Sequence, residues 1–133
     1  FEQGMAIQRA EVAAITANRD APTFANTILA LEDSGKLLGR VGRVFYALTG
    51  ANTTDGLDKI DETMSPRLAA HGDAINLDPA LFARVKAVYD NRATAGLTGE
   101  DLRLTERTYE EMVHAGAMLT PEQRARVKAL NTD

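Results

Sequence analysis

Residues 21–50 decide the fold. They read Ala21-Pro22-Thr23-Phe24-Ala25-Asn26-Thr27-Ile28-Leu29-Ala30-Leu31-Glu32-Asp33-Ser34-Gly35, then Lys36-Leu37-Leu38-Gly39-Arg40-Val41-Gly42-Arg43-Val44-Phe45-Tyr46-Ala47-Leu48-Thr49-Gly50. Their spacing predicts one long helix with a point of bending at Ser34-Gly35. Thr23 suits the N-cap, because its hydroxyl can accept from a free N–H of the first turn. Pro22 discourages continuation from any preceding helix. Apolar residues recur at Phe24, Ile28, Leu31, Leu38 and Phe45, with a second row at Leu37, Val41, Val44 and Leu48. The polar stripe is narrow: Glu32, Lys36, Arg40 and Arg43. Such a helix is expected at the centre of a bundle. It would be about 42 Å long, against about 36 Å for the width of a compact domain of this size, so the other helices should lie along it.

Gly35, Gly39 and Gly42 share a face of this helix. Three interior glycines cost about 3 kcal/mol relative to alanine. A bend at Gly35 and close packing by a neighbouring helix account for them. A membrane dimer motif does not, since Lys36, Arg40 and Arg43 interrupt the run.

The remaining segments are helical as well. Residues 2–18 place Met5, Val12 and Ile15 on one face, with alanines beside them. A loop at residues 49–54 contains Asn52-Thr53-Thr54, which matches a glycosylation sequon but reads as a turn and cap. The next helix starts near Asp55 with the stripe Leu57, Ile60, Met64, Leu68, His71 and Ile75. Pro66 either kinks it or starts a new helix behind Ser65. Asp78-Pro79 opens a helix carrying Leu81, Phe82, Val85, Val88 and Tyr89. Thr98-Gly99-Glu100-Asp101 opens another, with Leu102, Tyr109, Met112 and Val113, ending near Gly116. Thr120-Pro121-Glu122-Gln123 opens the last with a capping-box pattern, and Val127 and Leu130 are its apolar positions. No segment alternates as a strand. The expected fold is all-α, an up-and-down bundle of about six helices around the long central one.

Composition narrows the function classes. The 133 residues suit one domain and contain 44% hydrophobic residues, so a core is feasible. The net charge of -4 argues against a nucleic-acid partner. No apolar run approaches the length needed to cross a membrane. There is no cysteine, which excludes disulfides and thiolate metal sites but leaves the redox compartment open. The chain starts at Phe1 rather than Met, so we expect a piece of a longer protein or a processed product.

Catalytic constellations are not found. His71 falls on an apolar stripe and reads as a core residue with one hydrogen bond. Glu111 and His114 form one Glu-x-x-His, half of a carboxylate-bridged di-metal site, but no second copy exists. Glu110, Glu111 and His114 read as solvated. Neither histidine is followed by Glu, so a His-Glu-x-x-His zinc site is absent. Ser34 and Ser65 are the only serines, both in bend or cap positions. Glu32 with Lys36, and Arg107 with Glu110 and Glu111, read as surface pairs.

Several ordered segments nevertheless carry a resemblance. They are Phe1-Glu2-Gln3-Gly4-Met5 with Gln8 and Ala10-Glu11, then Ala21-Pro22-Thr23-Phe24, Asn26-Thr27-Ile28, Ala30-Leu31-Glu32 and Ser34-Gly35. Ser65-Pro66-Arg67-Leu68 with His71 and Ile75 follows, then Leu81-Phe82 with Arg84-Val85. His114-Ala115-Gly116-Ala117 with Leu119, Arg126 and Leu130-Asn131 closes the set. Together they resemble the N-terminal helical region of the thimet oligopeptidase and bacterial peptidyl-dipeptidase family of zinc metallopeptidases, and look closest to its peptidyl-dipeptidase branch. Ala25 departs where the family often has Glu, and His114 where Arg is usual. The resemblance implies an almost wholly helical enzyme with a deep channel, a zinc ion on a downstream His-Glu-x-x-His helix, and short peptides as substrates. None of those catalytic or metal residues maps onto this sequence. We therefore expect residues 1–133 to be one N-terminal helical domain, inactive alone, that helps form the cap and wall of the channel. Its partners would be the remainder of the parent peptidase and the parent's peptide substrates, with no nucleic acid and no membrane. A cytoplasmic parent is expected, with a periplasmic or exported one left open. The alternative is a free-standing helical interaction domain.

Overall fold

The computed structural model describes residues 1–132; Asp133 and the side chains of Asn131 and Thr132 lie outside the described residues. The chain is all-α, and no strand occurs among the described residues. In order, the elements are α1 (Glu2–Ala17), a π-helix (Phe24–Leu29) that runs into α2 (Ala30–Asp33), α3 (Lys36–Asn52), α4 (Asp55–Asn76), α5 (Pro79–Asp90), α6 (Gly99–Ala115) and α7 (Pro121–Thr132).

Local chemistry sets most boundaries. Thr23 caps as expected, and Asn26 makes the cap reciprocal: Asn26 N–H donates to Thr23 Oγ1 at 3.1 Å, and Thr23 N–H to Asn26 Oδ1 at 2.7 Å. Thr54 Oγ1 accepts from Leu57 N–H, and Asp78 Oδ1 from the N–H groups of Ala80 and Leu81. Thr120 and Gln123 form the capping box that their spacing predicts. At Gly116 (φ 109°) the end of α6 closes as a Schellman motif, with Ala117 N–H donating to Met112 O and Gly116 N–H to Val113 O. Pro66 neither ends nor divides α4, which runs through it from Asp55 to Asn76.

The segment expected as one long helix is divided. Ser34 is extended (ψ 152°) and Gly35 is left-handed (φ 72°), so the backbone makes a corner rather than a bend. Only glycine adopts this conformation cheaply. The core then gathers on the first half. Thr27 and Ile28 are fully buried, whereas Phe45 is the only buried residue of α3. The second row is consequently covered only in part, instead of being surrounded by other helices as expected: Leu37 and Val41 are half-buried, and Val44 and Leu48 are exposed. The close-packing role expected for Gly39 and Gly42 is not seen either: a Cβ at Gly39 would meet only Arg43, and one at Gly42 nothing within 4 Å. The close approach is made by Gly4, where a Cβ would lie 2.9 Å from Leu38 Cα and hold α1 away from α3.

The main core joins Val12 and Ile15 of α1, Ile28, Leu81, Val85 and Val88 of α5, Met112 of α6 and Ala117. Tyr89 and Tyr109 stack face to face across α5 and α6, with ring centres 3.9 Å apart, and Phe82 stacks on Tyr109 at 5.8 Å. The Arg92 guanidinium covers the Tyr89 ring at 3.9 Å. Arg84 is buried beside this core. Its Nη1 donates to the carbonyls of Asn18 (2.9 Å) and Asp20 (3.2 Å), and its Nη2 to Asn26 Oδ1 (3.1 Å). One guanidinium thus ties the turn after α1 and the start of the π-helix to α5.

Candidate functional site

Besides the Arg84 network, polar side chains converge where α1, α2 and α4 meet. Gln8 and Glu11 are three apart on α1, so both face the corner at Ser34-Gly35. The Glu11 carboxylate accepts from Gly35 N–H at 2.8 Å, satisfying a donor that the corner leaves outside any helix. The Gln8 amide nitrogen donates to Ser34 Oγ at 3.3 Å, and Ser34 Oγ donates to Leu31 O at 2.6 Å. The Gln8 carbonyl oxygen lies 2.7 Å from His71 Nε2. That oxygen can only accept, so Nε2 carries the proton and Nδ1 is bare. Nδ1 is buried with no hydrogen-bond partner among the described residues.

His71 therefore occupies the core position that the stripe of α4 predicts. Burial holds its pKa below the ordinary value of 6.5, and the positive charge of Arg9 adds to the effect. Below pH 6.5 the unfolded chain takes up a proton at this residue that the folded chain refuses. The sign follows: His71 makes stability fall as pH drops from about 6.5 towards the lowered folded pKa. Urea unfolding at a series of pH values should show this slope, and His71→Gln should flatten it.

A cavity of about 370 Å³ lies beside this junction, with Gln8, Glu32, His71, Asn76, Thr108 and Glu111 among its lining residues. Arg107 bridges two of its carboxylates, at 3.8 Å from both Glu32 and Glu111. Lys36 pairs with Asp33 at 3.2 Å, not with Glu32 as expected. The junction has no nucleophile aligned with a base. Ser34 Oγ is spent on a backbone carbonyl, and Ser65 Oγ donates to Asp61 Oδ1 at 2.9 Å on the outside of α4.

The residues do not fit a zinc site. His71 is committed to Gln8, while His114 and Glu111 are exposed on α6. No group of three or more His, Asp or Glu side chains that could hold a metal ion forms among the described residues. No described helix is long and apolar enough to cross a membrane.

Sequence reasoning placed His71 but missed its partners. Gln8 is a polar residue on α1 whose partners, Ser34 and His71, lie 26 and 63 residues away. Arg84 carried a visible signal, since it sits among Leu81, Val85 and Val88 on the buried face of α5, where a charge demands an internal acceptor.

No family model matches the chain. Relatives do. All 133 residues align at 48% identity with the dipeptidyl carboxypeptidase of Salmonella typhimurium, and at 48% with that of Escherichia coli. The alignment covers 20% of each relative, so the chain spans about one fifth of the length of the curated relatives it matches. This similarity supports a fragment of a peptidase-like protein.

Proposed function

We propose that the chain is the N-terminal helical part of a peptidyl-dipeptidase-like zinc metallopeptidase. It builds part of the cap and wall of the peptide channel, and peptide hydrolysis resides in polypeptide downstream. The observation that carries this reading is the 48% identity to two dipeptidyl carboxypeptidases over every residue of the chain. The internal chemistry agrees with it: the polar network around His71 joins helices to one another and has no group free to attack a peptide. Zinc belongs in this reading to the downstream part, and no residue here is assigned to it. The names of the relatives point to release of dipeptides from the carboxyl end of short peptides.

The test is a hydrolysis assay with short blocked peptides, followed by mass spectrometry. It compares the 133-residue chain with the full-length product of its gene, each with and without a zinc chelator. Activity is expected only in the full-length product, and the chelator should abolish it. Hydrolysis by the isolated chain would overturn the proposal, as would a full-length product inert towards every peptide.

A further inference from the structure

Helix α3 has one apolar row packed against α1 and a second that is half-buried at Leu37 and Val41 and exposed at Val44 and Leu48. Leu38 and Phe45 turn towards α1, where Leu38 meets Gly4 and Phe45 packs edge-on against Phe1 at 5.3 Å. Leu37, Val41, Val44 and Leu48 follow one another at spacings of four, three and four, which lines them up as a straight seam. Val44 is 57% exposed and Leu48 55%. Along one margin of the seam stand Arg40, Lys36 and Arg43. Lys36 has its partner in Asp33, but Arg40 and Arg43 form no ion pair among the described residues. The whole of α3 carries no acidic residue, although the chain has a net charge of -4.

From this geometry we infer that the seam receives an amphipathic helix from the downstream part of the same polypeptide, with an apolar stripe and acidic residues along the edge that meets Arg40 and Arg43. The inference rests on the reading of the chain as one part of a longer peptidase. A seam spaced in fours and threes fits the ridge of another helix. Unpaired arginines beside an apolar strip fit carboxylates at its rim. The relatives are about five times as long as this chain, so ample polypeptide exists to supply the helix. A second copy fits poorly: an antiparallel pair of α3 helices would bring the basic margins together with no acidic residue on either to offset them, and a parallel pair would set each basic margin against the edge that α1 already covers.

The absence of cysteine makes the test direct. Val44→Cys and Leu48→Cys are introduced singly into the isolated chain and into the full-length gene product. Labelling by a thiol reagent is then followed at that peptide by mass spectrometry, relative to the urea-unfolded protein. Both positions are exposed here, so the substitutions leave the core intact. Labelling in the full-length protein should be slower by about tenfold or more than in the isolated chain. Equal rates would overturn the inference even if the full-length protein hydrolyses peptides, whereas absent hydrolysis would count against the proposed function. Protection in the isolated chain that grows with concentration would overturn it in favour of self-association. Arg40→Glu with Arg43→Glu should restore labelling at Val44→Cys in the full-length protein, and unchanged protection would sink the acidic partner.

Discussion

Leu81→Ala should lower the free energy of unfolding by about 3 kcal/mol, because the removed methyl groups leave a void that the surroundings fill only in part. Leu81 has no exposed surface and belongs with Val12, Ile28 and Met112 to a cluster drawn from four helices and the turn at Ala117. A single-domain protein has only about 5–15 kcal/mol of stability, so this is a large fraction of the total. At this chain length the melting temperature should fall by about 10 °C. Leu81→Met keeps the volume and should cost less than about 1.5 kcal/mol. Urea unfolding followed by circular dichroism distinguishes the two. A Leu81→Ala midpoint within error of the parent chain would mean that the core is centred elsewhere.

Arg84→Met should be destabilising by a comparable amount, about 3 kcal/mol, for a different reason. The methionine keeps most of the apolar stem but removes the guanidinium. The carbonyls of Asn18 and Asp20 and the Asn26 side chain then lose a charged donor, and each such bond is worth about 1.5–3 kcal/mol before relaxation. The turn between α1 and the π-helix is the part that should loosen. Amide exchange at residues 18–23 is the measurement that localises the effect. Arg84→Lys should recover only part of the loss, since a compact ammonium cannot reach acceptors spread across two segments as the planar fork does. Full recovery by lysine would show that charge alone, not the fork, holds the turn.

These two residues also mark what the sequence made legible. Leu81 belongs to a run at helical spacing behind Asp78-Pro79, and the rule that predicts the helix also predicts the buried face. The caps at Thr23, Asp78 and Thr120 were readable for the same reason, since each involves residues no more than three apart. Longer-range features were not. The spacing of residues 24–48 suits one helix bent at Ser34-Gly35, and the sharper corner is held by contacts from α1, Glu11 to Gly35 N–H and Gln8 to Ser34 Oγ, 24 and 26 residues apart. Once the corner forms, the second apolar row turns outward, and periodicity alone cannot report that. The pairing of Gln8 with His71 spans 63 residues and has no local signature. Thr105 has none either: it is fully buried, and its hydroxyl donates to Asp101 O within its own helix, so a polar letter stands at a core position.

The face-to-face stack of Tyr89 on Tyr109 has an optical consequence. The chain has no tryptophan and three tyrosines, the third being the exposed Tyr46 on α3. Two of the three tyrosines are thus held in one chiral, electronically coupled pair, while the third packs on Phe45 and donates to Asp61, and so reports on the contact between α3 and α4. Near-ultraviolet ellipticity in the tyrosine band should act as a gauge of the α5–α6 seam, and tyrosine emission should rise when the Tyr46–Asp61 contact opens. A ligand or neighbour that disturbs only one of these regions would announce which one in a single spectrum, with no label attached.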